Sequence, residues 1–434
     1  MEARYDKTCY IPVERMEPNG KGKRTRMTQQ QVVGWLIAFY CITIKMLNFR
    51  KRIILVFHIM LATLLVISLR ESCSRSEVLT RSLTQTLPTD PREELPHNND
   101  LSCKERRDNV FLLRTPKCGS TTLQGIMYRY GLAHDLDIAI HKEAIQFDRV
   151  KYMERQQLIP SRNVNGSYNI LASHLWYKFN KNFVSEILPP DTFYVTAVRH
   201  PLDHFLSWIM FFKEHRDRYL EEKKRQTWKS PADLIAESME TGTGILKDLF
   251  TNSISDYLAI PKTVDAEQMQ TFLVELDDRF DFIIIVEYFD ESLVLLKRYL
   301  CWSLKDIVYH KANTGKYGEE ELGILLDHRV QKWVAKNESM DYQLYNYFLK
   351  RFWQRIAKQG VNFFSEVLQF QLINSKVSQF CTDTNGTSMH IDSSAWNEEF
   401  VVYRQDCSLM AFKNMYPQTV RFAQYQRDRV RKDT

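Results

Sequence analysis

Between Arg114 and Leu123 the chain reads R-T-P-K-C-G-S-T-T-L: one Lys, one Gly and the hydroxyls of Ser120, Thr121 and Thr122, directly after the apolar run Val110–Leu113. Residues of these types at this spacing build an anion site. Backbone N–H groups at a helix start point outward, the helix dipole adds partial positive charge, and an ammonium and hydroxyls complete a cage for a phosphate-like group. This is not a Walker A loop, because no G-x-x-x-x-G-K occurs and Lys117 precedes Gly119. An ATP or GTP site is therefore disfavoured. The same residues would also fit an ordinary Ser/Thr helix cap beside an exposed Lys.

A second stretch runs Thr196-Ala197-Val198-Arg199-His200-Pro201 and continues to Ser207. An Arg at a strand end and a Ser eight residues on could hold one phosphate from two sides, the Arg with a planar fork of donors and the Ser with a hydroxyl. By itself the spacing fits a structural ion pair equally well. His174 follows the apolar run Tyr168–Ala172 and would sit at the edge of a sheet, where an imidazole with a near-neutral pKa suits proton transfer; a hydrogen-bonded structural His is the other reading. His141, His200 and His204 are weaker candidates, the last two better suited to shaping a pocket or a helix face. No C-x-x-C pair and no H-E-x-x-H occurs, so no metal site is expected.

Elements that could position these groups are legible in the hydrophobic pattern. Val110–Leu113, Tyr168–Ala172, Phe193–Val198 and Phe282–Val286 read as strands. The segments Thr121–Tyr130, from Pro201 onward and from Asp290 onward carry apolar residues at helical spacing. Strand–turn–helix units in series predict an α/β fold, a parallel sheet flanked by helices with ligands at the carboxyl ends of its strands. The aromatic-rich segment from Ser339 to about Phe370 reads as helical. A basic Gly-containing loop, Lys311–Gly318, could cover a ligand or simply be solvated.

The 434 residues carry 59 Lys+Arg against 53 Asp+Glu, a net charge of +6 that is too small for this length to predict nucleic-acid binding. Ile53–Leu69 is a run of 17 residues whose one strongly polar member is His58, preceded by Arg50, Lys51 and Arg52. It is predicted to be a single transmembrane signal-anchor with residues 1–52 cytoplasmic, although a buried core helix of this length is possible. Val32–Ile44 is a second, shorter apolar run that could also enter a membrane. Residues 70–108 read as a polar lumenal stem and 109–434 as the lumenal catalytic domain. The three glycosylation sequons, at Asn165, Asn337 and Asn385, all lie beyond the anchor, as do six of the eight Cys. Cys381 with Cys407 is a plausible pair.

Taken together, T-P-K-x-G-S-T-T and the R-x7-S element resemble the 5′-phosphosulfate loop and the 3′-phosphate element of Golgi sulfotransferases. G-L-A-H-D-L-D-I-A-I from Gly131, the long segment Phe280–Lys311 and the block around Asp341–Trp353 are similar to the galactose 3-O-sulfotransferase family, which includes the enzyme that sulfates galactosylceramide. The resemblance covers most of residues 109–382. It implies a P-loop-like sulfotransferase fold and a type II Golgi membrane protein. The sulfate donor would be 3′-phosphoadenosine 5′-phosphosulfate (PAPS), without a metal, and the acceptor the 3-hydroxyl of a galactose in a glycolipid or glycan. Thr115, Lys117, Gly119, Ser120, Thr121, Thr122, Arg199 and Ser207 would contact PAPS, Lys117 would stabilise the leaving phosphate, and His174 would be the base. Family members often carry His where this chain has Pro116, which removes one candidate base, and Asp-Pro where it has His200-Pro201. A uronyl or heparan 2-O-sulfotransferase acting on a glycosaminoglycan is the alternative, and a nucleotide-dependent kinase a more distant one.

Overall fold

The computed structural model describes residues 105–143, 154–175, 177–214, 251–310, 323–324, 326–383, 385–410 and 415–433. The apolar runs 32–44 and 53–69, most of the stem and the loop 311–318 lie outside them. Among the described residues, no helix is long and apolar enough to cross a membrane.

Four parallel strands form the central sheet in the order β2-β1-β3-β4, with β1 Val110–Leu113, β2 Ile170–Ser173, β3 Phe193–Val198 and β4 Phe282–Ile285. Every residue of β1 is fully buried, which is why its sequence is a continuous apolar run and not an alternating one. β2 starts two residues later than the apolar pattern suggests. The Tyr168 and Asn169 N–H groups bond Ile187 O and Asp137 O and so cannot enter the ladder with β1.

Helices flank the sheet. α1 (Ser120–Ala133) follows β1 and packs on β2; α2 (Tyr177–Ile187) follows β2, and α3 (Pro201–Glu214) follows β3. Gly131 lets α1 approach β2 closely, since a Cβ there would stand 2.9 Å from Ile138 Cδ1 and 3.0 Å from Ile170 Cδ1. Next come the five-residue α4 (Ser253–Tyr257), then α5 (Ala266–Arg279), and after β4 α6 (Phe289–Leu300), α7 (Leu304–Ile307) and α8 (His328–Asn337). The aromatic segment read as helical holds α9 (Ser339–Ala357) and the start of α10 (Phe363–Thr382). They are separated at Gly360, whose φ of +79° no helix interior accommodates.

An antiparallel hairpin not foreseen from sequence, β5 (Ser388–Ile391) with β6 (Phe400–Tyr403), follows α10. The Cys381–Cys407 disulfide ties the end of α10 to α11 (Arg404–Met410), and Cys301 is also disulfide-bonded. The C-terminal helix α12 (Met415–Asp433) bonds back to the turn after α1, Arg429 donating to Leu136 O and Gln426 to Asp137.

Candidate active site at the carboxyl edge of the sheet

Chain reversal across the sheet decides where the site lies. From β1 the chain moves outward to β2, then crosses back to β3, so the loops after β1 and β3 diverge at neighbouring strand ends. A crevice opens at such a switch point. The segments that meet there are Arg114–Gly119 after β1 and Arg199-His200 after β3, with His174 after β2 and Glu287 after β4 completing the edge.

The first loop is held in an uncommon shape. Lys117 and Gly119 both have positive φ, 60° and 67°. Gly119 is the N-cap of α1 and offers no side-chain cap, and the first turn of α1 contains no acidic residue. The first backbone bond of α1 runs from Leu123 N to Gly119 O, so the N–H groups of Ser120, Thr121 and Thr122 lie ahead of the helix ladder. A helix start left this way attracts an anion. Gly119 is exposed, Thr121 and Thr122 are half-buried and Ser120 is buried. A Cβ on Gly119 would lie 3.3 Å from the Phe289 ring and would strain the left-handed backbone. Gly119→Ala is expected to destabilise the fold by about 1–2 kcal/mol, read from a denaturant midpoint, and to weaken binding of adenosine 3′,5′-bisphosphate roughly tenfold.

Structure brings Arg199 to Lys117: Arg199 Nη1 donates to Lys117 O at 3.1 Å, across 82 residues of sequence. The Lys117 ammonium lies 4.5 Å from the centre of the Phe211 ring on α3. His204 Nε2 bonds Pro116 O at 3.1 Å. His204, Ser207 and Phe211 share one face of α3 at helical spacing, so Ser207 is on the face that packs against the loop. Thr115 departs from expectation. Its hydroxyl is fully buried and bonded to Thr196 Oγ1 at 2.9 Å, which links the loop after β1 to β3 and turns that side chain inward.

His204 is buried, and that burial first of all, with Arg199 and Lys117 nearby, pushes its pKa down to about 3. With Nε2 committed to Pro116 O, the ring supports the loop. Between pH 6.5 and 3 the unfolded chain takes up this proton and the folded chain does not, so stability is full above pH 6.5 and falls as the pH drops. At pH 5 the loss is about 2 kcal/mol. Urea midpoints at pH 7 and pH 5 for the wild type and His204→Gln should show the pH dependence shrinking in the variant.

His174 is half-buried, and its Nδ1 bonds Arg114 O. A carbonyl only accepts, so Nδ1 carries the hydrogen and Nε2 keeps its lone pair. Burial, then the Arg114 guanidinium, hold its pKa well below the ordinary value. The imidazole is therefore neutral at physiological pH, with Nε2 unprotonated. Arg114, 1 % exposed, braces the loop from inside by donating from Nε to Ser120 O at 3.2 Å. Sequence reasoning missed it, although a charged residue ending a buried strand was the available signal. It also missed Glu287, whose Oε1 accepts the His200 N–H at 3.0 Å and so fixes the segment after β3. His141 lies elsewhere, paired in a bridge with Leu158. Among the described residues, no group of three His, Cys, Asp or Glu side chains could hold a metal ion.

The galactose-3-O-sulfotransferase family model matches residues 41–400, which include this whole edge. The chain belongs to that family. Mouse galactosylceramide sulfotransferase is 28 % identical over 309 residues, covering 68 % of this chain and 69 % of the relative. Mouse galactose-3-O-sulfotransferase 2 is 29 % identical over 262 residues, 57 % of this chain and 62 % of its own length. A sulfotransferase structure from Alicyclobacillus acidocaldarius matches 55 % of this chain and 96 % of its own at 18 % identity, with a TM-score of 0.29, a likeness too slight to carry an argument. The resemblance implies that Pro116 stands where family members often carry His. Here that position contributes a backbone carbonyl to His204.

Proposed function

We propose that this protein transfers a sulfuryl group from PAPS to the 3-hydroxyl of a galactose in a glycolipid or glycan. The observation that carries the reading is the Arg199–Lys117 contact, which joins the two candidate phosphate-binding segments at the carboxyl edge of the sheet. Family membership supports the same chemistry. The donor set suits a molecule with phosphates at both ends. The N–H groups of residues 119–122 and the hydroxyls of Ser120, Thr121 and Thr122 would hold the 5′ side, and Arg199 with Ser207 the 3′-phosphate. PAPS supplies an activated sulfuryl group on a phosphate leaving group. Lys117 neutralises charge at that phosphate, and His174 Nε2 takes the proton of the acceptor hydroxyl; positioning and electrostatics supply most of the rate.

Radiolabel transfer from PAPS to a panel of galactosylceramide, N-acetyllactosamine and desulfated heparin, with linkage analysis, tests this. Label on O3 of galactose is expected. Label on the glycosaminoglycan alone would favour a 2-O-sulfotransferase, and a requirement for ATP with Mg²⁺ a kinase.

We also propose a Golgi membrane location with the catalytic domain lumenal, supported by the Cys381–Cys407 disulfide. Asn165 and Asn385 are exposed, whereas the Asn337 amide donates to Trp333 O at 2.8 Å inside α8. Peptide mapping of protein from secretory cells should find glycans at Asn165 and Asn385 and the lowest occupancy at Asn337.

A further inference from the structure

We infer that Tyr257 is a positioning residue for His174, and that Asp341 sets Tyr257 in place by capping the short helix that carries it. The inference rests on the reading of His174 as the base.

Tyr257 ends α4 and its hydroxyl donates to His174 O at 2.9 Å, with the two rings edge-on at 6.3 Å. His174 is thus held at two points, its ring by Arg114 O and its backbone by Tyr257. Five residues make a helix too short to fix its own orientation, because nucleating a turn costs more than so few hydrogen bonds return. Asp341 supplies what α4 lacks. Its fully buried carboxylate accepts the N–H of Ile254 at 2.9 Å, the N–H of Ser255 at 2.8 Å and the Ser255 hydroxyl at 2.6 Å. The arrangement is reciprocal, since Asn252 Oδ1 accepts the N–H groups of Met340 at 2.9 Å and Asp341 at 3.3 Å at the start of α9. Two helix starts far apart in sequence cap each other.

The carboxyl of Glu338, just before α9, is buried in the same place; burial and the Asp341 charge push its pKa up to about 10, so it is protonated at neutral pH and adds no second charge beside Asp341.

The same end of α9 also reaches the segment after β3. The Tyr342 and Tyr345 rings each lie 5.4 Å from the His200 ring, edge-on. The first two turns of α9 therefore contact the His174 side through α4 and the Arg199-His200 side directly. A base must be held to a fraction of an ångström relative to the donor and acceptor for proton transfer to be efficient. Asp341 is fully buried, so its influence on the reaction passes through Tyr257 and not through substrate contact.

The test uses the full chain with PAPS and the best acceptor of the panel. Tyr257→Phe removes one hydroxyl and keeps the ring. The expected result is a roughly tenfold fall in kcat with KM for PAPS within about twofold. His174→Ala should lower kcat at least about a hundredfold, and Tyr257→Phe should cause no further loss in that background, the signature of a residue acting through another. Asp341→Asn should reproduce the Tyr257→Phe pattern. Calorimetric binding of adenosine 3′,5′-bisphosphate shows whether each variant is folded, and Tyr257→Phe carries the test even if Asp341→Asn does not fold. Wild-type kcat in Tyr257→Phe, or a full tenfold further loss in the His174→Ala background, overturns the positioning role alone. Wild-type kcat in His174→Ala overturns the base reading, and the positioning role falls with it.

Discussion

Lys117→Met should lower kcat for sulfuryl transfer by about a thousandfold, roughly 4 kcal/mol of transition-state stabilisation, with the protein still folded. In the proposed mechanism the ammonium neutralises charge that grows on the leaving phosphate, so its loss is expected in kcat more than in KM. Met keeps an unbranched side chain of similar length beside the Phe211 ring and removes the charge, so the folded site is preserved while the ammonium is lost. Lys117→Arg should restore part of the rate, because it returns a cation with different geometry. Single-turnover rates with radiolabelled PAPS read the effect, and calorimetric binding of adenosine 3′,5′-bisphosphate reads the folded site. A rate within tenfold of wild type would remove Lys117 from the chemistry.

Arg199→Ala should act on recognition. Loss of the fork proposed to hold the 3′-phosphate is expected to raise KM for PAPS about a hundredfold. It should also abolish discrimination against adenosine 5′-phosphosulfate, which lacks that phosphate. Retained discrimination in the variant would place the 3′-phosphate elsewhere. Arg199→Lys should fall between, since an ammonium keeps the charge and loses the planar pair of donors. Because Arg199 Nη1 also bonds Lys117 O, the two variants are not independent. The combined loss in the double variant should be smaller than the sum of the separate losses in free energy.

How legible the fold was depends on how local its causes are. The four strands of the central sheet were readable as apolar runs, and the loop and helix start after β1 from the segment that follows it, because burial on both faces and helix starts leave signatures within a few residues. Boundaries moved where long-range bonds intervened, as at β2, where the N–H groups of the two preceding residues, Tyr168 and Asn169, are drawn to Ile187 and Asp137. The break between α9 and α10 was hidden because Gly360 sits in an otherwise continuous helical pattern, and only its positive φ reveals the stop. The hairpin of β5 and β6 has a mostly exposed first strand, so it lacks the apolar pattern that marks the other strands.

Residue types and spacing alone marked the segments 114–122 and 199–207 as candidates for phosphate groups, and put a His at a strand end. They also determined the family resemblance, since motif order survives at modest identity. Tertiary structure decided which of these groups meet. It turned Thr115 inward to Thr196, placed His204 under Pro116 as a support, joined Arg199 to Lys117, and gave His174 its tautomer through Arg114 O. It also recruited Tyr257 and Asp341, whose bonds span 83 to 87 residues. Many of these contacts end on a backbone carbonyl or N–H, a group nearly every residue offers, so no side-chain pattern in the sequence marks the partner, and only the path of the folded chain selects it.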